Sequence, residues 1–201
     1  MNHWDERYTG DTFLFGTAPN AFLLAQRHRL PARGAALAVA DGEGRNGVWL
    51  AEQGLDVLAV DASSVGLAKG RQLAAQRGIS LRQELADLAQ WDFGSERFEV
   101  IAAIFIQFAA PALRDQLFAG MQAALKPGGL LLLQGYRPEQ LAYATGGPSD
   151  AQSLYTEPML REAFAALQIE QLRVHDSEIH EGSGHAGMSA LIDLVARKPA
   201  G

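Results

Sequence analysis

Residues 35–46 read AALAVADGEGRN and decide the fold, because an apolar run breaks there into a glycine-rich turn. A second apolar run, LDVLAVD at residues 55–61, follows after a helical interval and ends in an acid. A buried strand, a glycine-rich turn, a helix and a second strand ending in a carboxylate form a βαβ unit of the nucleoside-binding type. The stretch therefore predicts a parallel α/β sheet that binds a nucleoside.

Three residues of this unit are expected to contact the ligand. Gly42 and Gly44 let the backbone approach a ligand closely and leave amide donors at the helix N-terminus. Asp61 is placed to accept both ribose hydroxyls, because a carboxylate that ends an apolar strand is costly to bury without a partner. The alternatives are a tight turn that needs glycine for its own geometry and a helix cap at Asp61.

Composition limits the class of protein and of partner. The 201 residues suffice for a single domain with a full α/β core. A net charge of -6 argues against nucleic acid as a partner. The absence of cysteine excludes disulfides, thiolate metal sites and a cysteine nucleophile, and is typical of a reducing cytoplasm. The polar stretch 1–7 is no secretory signal, and no apolar segment reaches the roughly 20 residues of a membrane span.

The middle of the chain alternates between short apolar runs and helical patterns, as in a doubly wound sheet. The predicted strands are Ala35–Ala40, Asp56–Asp61, Leu81–Leu85, Val100–Phe105 and Leu130–Gln134. The predicted helices are Asn46–Gln53, Ser64–Arg77 and Pro111–Leu125. Lys126-Pro127-Gly128-Gly129 is expected to stop the last helix and to turn the chain into the fifth strand.

The pattern changes after the fifth strand. Residues 137–154 are rich in Gly, Pro, Ser and Thr, and predict a long excursion with a helical piece near Pro138–Ala142. Thr156 is expected to cap a helix that runs to about Leu167. Two alternating runs, Ile169–Ile179 and Ser189–Arg197, predict a terminal antiparallel hairpin. The fold class expected is a Rossmann-like, seven-stranded, mostly parallel sheet with a C-terminal antiparallel hairpin and helices on both faces.

This order of parts resembles a class I methyltransferase that uses S-adenosyl-L-methionine (SAM), and the resemblance covers nearly the whole chain. Gly42-Glu43-Gly44-Arg45-Asn46 resembles the glycine motif of the small tellurite-resistance (TehB-like) and thiol methyltransferases. Trp4-Asp5-Glu6-Arg7-Tyr8, with Phe13, is similar to the N-terminal cofactor lid of thiopurine-type methyltransferases. Ala86-Asp87-Leu88 matches the point where the family reads adenine. The chain departs from the family at Ala38, where an acid is usual, and at Ala40, where the first glycine is usual.

The resemblance implies SAM as cofactor and a domain that spans residues 1–201. Its parts are a helical lid at 1–30, a SAM-binding core at 35–135, and a substrate-side excursion with the hairpin at 136–201. Asp41 is expected to replace the missing acid at the methionine end of the cofactor. The residues expected to contact SAM are Trp4, Tyr8, Phe13, Asp41, Gly42, Gly44, Asp61, Ala62, Asp87, Leu88 and Phe105.

Methyl transfer from a sulfonium requires positioning, desolvation and, for some acceptors, removal of a proton. His180 matches a histidine that the tellurite-resistance family uses near its acceptor, and it is expected to act as general base or acceptor contact. Gln107 and Tyr136 follow the fourth and fifth strands and are expected to orient the acceptor. Glu181 stands where the family has an arginine, which disfavours an oxyanion acceptor. His185 could face His180, but their spacing is not a helical zinc pattern, and no metal is expected.

The function expected is methyl transfer from SAM to a small-molecule nucleophile through sulfur, selenium, tellurium, nitrogen or oxygen. The expected state is a cytoplasmic monomer or homodimer without nucleic-acid or membrane partners. Two alternatives remain open, a nicotinamide (NAD)-dependent oxidoreductase and a catalytically silent SAM-binding module. The terminal hairpin and the missing third glycine of the dinucleotide pattern argue against the first. Ala38 and Ala40 favour the second.

Overall fold

A computed structural model describes residues 3–200, so that Met1, Asn2 and Gly201 of the expected domain lie outside the described residues. Seven strands form one sheet in the order β3-β2-β1-β4-β5-β7-β6. The strands are β1 Ala35–Val39, β2 Asp56–Asp61, β3 Arg82–Leu85, β4 Phe98–Ile104, β5 Leu125–Tyr136, β6 Gln168–Glu181 and β7 His185–Arg197. All neighbouring pairs are parallel except β5–β7 and β6–β7. The expected fold class is confirmed.

Helices connect the parallel strands and cover both faces of the sheet. They are α1 His3–Arg7, α2 Ala21–Ala25, α3 Arg45–Glu52, α4 Ser64–Gln76, α5 Pro111–Ala124, α6 Gln140–Tyr143 and α7 Glu157–Ala163. The predicted cap at Thr156 is confirmed, because its side chain accepts from the Met159 amide at the start of α7. Ser63 caps α4 in the same way by accepting from the Gly66 amide. Within residues 3–200, none of the helices is both long and apolar enough to cross a membrane.

The inner parallel strands β1, β2 and β4 are buried on both faces, which explains their continuous apolar runs, whereas the edge strand β3 is largely exposed. Successive side chains of β1 alternate between the two cores. Leu37 and Val39 join the core beneath α5 and α7, whereas Ala36 and Ala38 join the core beneath α2 and α3. Strand order reverses between β1 and β4, and ligands of open α/β sheets bind at this point, beyond the carboxyl ends of the strands.

Two differences from the sequence prediction are the largest in the sheet, and outside the sheet α7 ends at Ala163 instead of about Leu167. The turn Lys126–Gly129 lies inside β5 as a bulge, because Leu125 already pairs with Phe98 before Leu130 pairs with Val100. The hairpin strands are longer than predicted, and residues 180, 181 and 185 belong to them. This second difference decides which hairpin side chains face the site.

Candidate active site

Two adjoining cavities open at the carboxyl ends of the central strands. The first has a volume of about 240 Å³ and the second a volume of about 480 Å³. Five side chains line both of them, namely Trp4, Phe15, Phe105, Phe108 and His185. Two compartments that share an aromatic wall suit a reaction between two bound molecules, each held in its own compartment.

Asp61 ends β2 at the first cavity and is held by the glycine turn. Its Oδ2 accepts from the Gly42 amide at 2.8 Å, and its Oδ1 accepts from the Ser63 amide at 2.7 Å. Burial raises the pKa of Asp61, although these backbone hydrogen bonds act in the opposite direction. A carboxylate offers about four lone-pair sites, so Asp61 keeps acceptor capacity for a ligand.

Asp41 lies on the wall of the same cavity, beside the N-terminus of α3. Its Oδ1 accepts from the Gly47 amide at 3.0 Å. Burial raises the pKa of Asp41 to about 7, against the lowering effect of that hydrogen bond. An acid in this position is well placed to meet a cation of the ligand, because a nearby positive charge favours the ionised carboxylate.

Ala40 and Phe105 mark the two strand ends between which the sheet order reverses. Both residues have positive φ, 50° and 55°, and both line the first cavity. Left-handed backbone is costly for a side-chain-bearing residue, and such positions cluster at functional sites. Ala40 therefore adopts a left-handed backbone that a glycine would adopt without strain.

A lid formed by residues 3–20 covers the cavities and is tied to the core by buried acids. Asp5 accepts from Ser63 Oγ at 2.7 Å, and Glu43 accepts from the Leu14 amide at 2.7 Å and from Lys69 Nζ at 2.9 Å. The lid also meets the hairpin turn, because the Gly184 amide donates to the Leu14 carbonyl at 2.9 Å. The cavities thus lie under a roof made of two chain segments.

Tyr8 is the lid residue that lies over the glycine turn. A Cβ added at Gly42 would come within 2.5 Å of the Tyr8 hydroxyl. Burial raises the pKa of Tyr8, and the negative charges of Asp61 and Glu43 raise it further. The phenol therefore stays protonated and is a hydrogen-bond donor beside Asp61.

The far side of the cavities is built around a buried ion pair. Arg45 Nη2 lies 2.6 Å from Glu181 Oε2, and both side chains are more than nine-tenths buried. Burial alone would raise the pKa of Glu181, but His185 and Arg45 outweigh it and lower the pKa to about 2. Glu181 also accepts from Asn20 Nδ2 at 2.9 Å. The acid is therefore a neutralised structural group, and the sequence argument that Glu181 repels an oxyanion acceptor loses its basis.

Most predicted cofactor contacts lie on the first cavity. They are Trp4, Tyr8, Asp41, Asp61, Ala62, Asp87, Leu88 and Phe105. Gly42 and Gly44 lie in the turn beneath it instead. Gly42 gives its amide to Asp61, and a Cβ at Gly44 would meet the Gly70 Cα at 2.6 Å, so that this glycine allows α3 and α4 to approach.

Phe13 does not face either cavity. It packs against the cluster of Val48, Leu73 and Ala74 on α3 and α4. Phe15, two residues later, lines both cavities instead. The predicted segment of the lid therefore reaches the cavities, but through Phe15 and not through Phe13.

His180 is likewise displaced from the predicted role. Its side chain is 75% exposed, lies 3.6 Å from Glu178, and lines a separate surface groove. Successive strand residues point to opposite faces, so burial of Glu181 turns His180 outward. His185, on the facing strand, lines both cavities.

Gln107 and Tyr136 both line the second cavity, but Gln107 is fully engaged. Its Nε2 donates to the carbonyls of Tyr136 and Ser153, and its Oε1 accepts from the Tyr136 amide. Gln107 therefore fastens the segment after β5 and is not free to orient an acceptor. Tyr136 packs its ring 4.6 Å from the ring of Phe105.

Sequence reasoning assigned no site role to Phe15, Arg45 and Phe108, and left His185 without one of its own. Arg45 was visible only as part of the glycine motif. With the strand ends known, the alternation of side chains along the hairpin would have predicted that residue 185 points toward the site. Within residues 3–200, no group of three His, Asp or Glu side chains is close enough to hold a metal ion.

Comparison with known proteins agrees with this geometry. Residues 36–129 match a family model described as a methyltransferase domain. A structure solved in work on the conversion of a disulfide bond into a thioacetal group during echinomycin biosynthesis superposes with a TM-score of 0.78 at 19% identity, covering 98% of this chain and 92% of the other. TehB from Haemophilus influenzae gives a TM-score of 0.73 at 15% identity, covering 98% of this chain and 66% of TehB. At these identities the likeness shows the fold.

Curated relatives match part of the chain. Carboxy-S-adenosyl-L-methionine synthase of Geobacter metallireducens is 30% identical over 123 residues, which are 59% of this chain and 48% of the synthase. The chain spans less than half the length of the curated relatives it matches, 31% and 48%. Residues 36–129 of this chain thus match a methyltransferase domain, and the solved structures show that the chain shares their fold.

Proposed function

We propose that this protein transfers the methyl group of SAM to a small-molecule nucleophile and releases S-adenosylhomocysteine. The observation that carries the proposal is the pair of cavities under one lid, joined at Phe105 and His185. One cavity carries carboxylates suited to a nucleoside and a cation, and the other has room for a second molecule. The acceptor atom is sulfur, selenium, tellurium, nitrogen or oxygen.

The residues of the first cavity fit SAM. Asp61 has free acceptor capacity for ribose hydroxyls, and Leu88 supplies a buried apolar surface for adenine with Asp87 beside it. Asp41 offers a carboxylate to the cationic end of the molecule. It takes the place of the acid that is usual in the family at the position of Ala38. When bound, the cofactor supplies an activated methyl group, so the protein has to position the acceptor and exclude water.

The size of the second cavity favours a small acceptor over a macromolecule. The lid, the loop at Gly146–Ser149 and the hairpin turn line it, and its volume of about 480 Å³ lies in the range of small-molecule sites. We also propose a cytoplasmic monomer or homodimer without a nucleic-acid or membrane partner. The net charge of -6 and the cysteine-free composition support this state.

Calorimetry separates this proposal from its alternatives. We expect S-adenosylhomocysteine and SAM to bind with micromolar affinity, and NAD not to bind. Preferential binding of NAD would contradict the proposal in favour of an oxidoreductase. The control protein is the Asp61→Asn variant, which loses the charge and one of the two amide contacts of the carboxylate.

Mass spectrometry of a metabolite extract then tests transfer. Incubation with SAM and its deuterated-methyl form should yield acceptor ions heavier by one methyl group of either mass. SAM binding without any such product would favour a silent binding module, for which Ala38 is the supporting observation. A mass gain on the cofactor itself would favour chemistry of the kind for which the synthase relative is named.

A further inference from the structure

His185 stands where the two cavities meet. It is buried, and its ring centroid lies 4.3 Å from that of Phe15, 4.5 Å from that of Phe105 and 5.7 Å from that of Tyr136. Three aromatic rings, from the lid, from the residue after β4 and from β5, thus fix one imidazole between the donor side and the acceptor side. Neither cavity brings another histidine to this junction: His3 lines only the second, and His180 lies outside both.

The two ring nitrogens of His185 have different surroundings. Nδ1 is sealed in without a hydrogen-bond partner among the described residues, and the nearest acid is Glu181, whose Oε2 lies 3.7 Å away. Since Arg45 keeps Glu181 ionised, the carboxylate attracts the ring proton to Nδ1. This arrangement leaves the lone pair on Nε2.

Charged and titratable groups face His185 from every element around it. They are Arg7 and His3 from α1, Arg45 from α3, Glu181 from β6, Tyr136 from β5, and Asp150 from the loop before the turn at Ala151–Ser153. Burial lowers the pKa of His185, Arg45 and Arg7 lower it further, and Glu181 opposes them without reversing the direction. The ring is therefore neutral at neutral pH, which a proton acceptor requires.

We propose that His185, oriented by Glu181, is the general base of the reaction, and that the acceptor is a thiol, selenol or hydroxyl compound that reaches the site still protonated. The inference rests on the proposed methyl transfer and assigns its base and its acceptor class. The acceptor gives its proton to His185 Nε2, and the electron pair freed on the acceptor atom forms the new bond to the methyl carbon. The bond from that carbon to sulfur breaks, and its electron pair stays on sulfur as S-adenosylhomocysteine. The imidazolium then returns its proton to water through the second cavity.

Turnover of two probe thiols tests the role of the base. The probes are 2-mercaptoethanol, which is protonated at neutral pH, and 4-nitrobenzenethiol, which is already ionised. The variants are His185→Gln and, as matched control five residues away on the same hairpin, His180→Gln. We expect His185→Gln to lower kcat on 2-mercaptoethanol by roughly 10²–10⁴-fold and on 4-nitrobenzenethiol by less than about tenfold, since only the first needs a base. Raising the pH should restore much of the first rate, and His180→Gln should match the parent protein.

Equal losses on both thiols, or full activity of His185→Gln, would overturn the proposal. A readout without turnover decides the case if neither thiol is methylated. Nitrogen-15 correlation spectra of the imidazoles, recorded on the S-adenosylhomocysteine complex, should show His185 neutral at pH 7 with its proton on Nδ1. Assignment comes from the same two glutamine variants.

A proton on Nε2, or a His185 ring that is charged at pH 7, contradicts the role of base whatever the turnover shows. Failure of the proposed function looks different, because it appears as the absence of S-adenosylhomocysteine binding in the parent protein. The role of His185 as base can thus be disproved while methyl transfer is upheld, so the two outcomes are distinguishable.

Discussion

The two sides of the site are built in different ways. On the cofactor side, Asp61 and Asp41 are held by amides of the same βαβ unit, at separations of 19 and 6 residues. On the acceptor side, Glu181 contacts Asn20 across 161 residues and Arg45 across 136. The first side takes its shape from a turn, whereas the second exists only after the lid, α3 and the hairpin have come together. The first should therefore tolerate the loss of one contact better than the second.

The largest expected effect comes from breaking the buried ion pair on the acceptor side. Arg45→Met leaves Glu181 buried without its cation, and we expect the free energy of unfolding to fall by about 3–5 kcal/mol. The control is Arg82→Met, whose partner Asp56 is exposed and whose loss should cost about 0–1 kcal/mol. Denaturant unfolding measures both. Equal effects of the two substitutions would remove the contrast between the sides.

The second effect concerns the pH dependence of Asp41. Its pKa of about 7 in the folded protein exceeds the ordinary 3.8, so the folded state binds more protons between these values and stability falls as the pH rises from 4 to 7. We expect Asp41→Asn to abolish this fall and to raise stability at pH 8 by on the order of a few kcal/mol, with no difference at pH 4. Thermal unfolding across this range is the measurement. The control is Asp56→Asn, which removes an exposed carboxylate and should leave the pH dependence of stability unchanged. An unchanged pH dependence in Asp41→Asn would contradict the prediction, because it would mean that the Asp41 carboxyl is already ionised at pH 5.

Cofactor binding gives the third effect. Asp61→Asn should weaken S-adenosylhomocysteine binding by roughly tenfold or more, about 1.4 kcal/mol, because a charge-assisted hydrogen bond to ribose becomes a neutral one. Titration calorimetry measures the change. Asp87→Asn is the comparison and should have a smaller effect, since that side chain is exposed and already caps the Ala89 amide. Unchanged affinity of Asp61→Asn would restrict Asp61 to holding the glycine turn.

The smallest effect separates two aromatic residues of the lid. Phe15→Leu should weaken S-adenosylhomocysteine binding several-fold, because loss of an aromatic contact is worth about 0.5–1.5 kcal/mol. Phe13→Leu should lower stability by a similar amount and leave binding unchanged, since Phe13 packs on α3 and α4. The same calorimetric titration checks both. Weakened binding in Phe13→Leu alone would reverse the assignment.

The parallel half of the fold could be predicted from the sequence because its signals are local. The runs at 35–39 and 57–60 are apolar at every position, and the caps at Ser63 and Thr156 lie next to their helices. The class of fold follows from the order of these elements. The cofactor-side carboxylates belong to the same local pattern. The position of these carboxylates at the first cavity follows from the βαβ unit itself and does not depend on distant segments.

The acceptor side could not be predicted in the same way, since its side chains depend on register. A strand that ends two residues later than expected takes in Glu181, and the alternation of faces then turns His180 to solvent. The choice between Phe13 and Phe15 depends on how an irregular lid lies on α3 and α4. A single sequence contains no periodic signal for either.

The roof over the cavities has a kinetic consequence. Leu14 and Gly184 join the lid to the hairpin turn by a backbone hydrogen bond, and Gly182 lies so close to the Leu14 carbonyl that a side chain has no space there. Under the proposed methyl transfer, fresh donor enters and spent donor leaves beneath this seam in each cycle. We therefore expect opening of the seam to be a step of the cycle that can limit its rate.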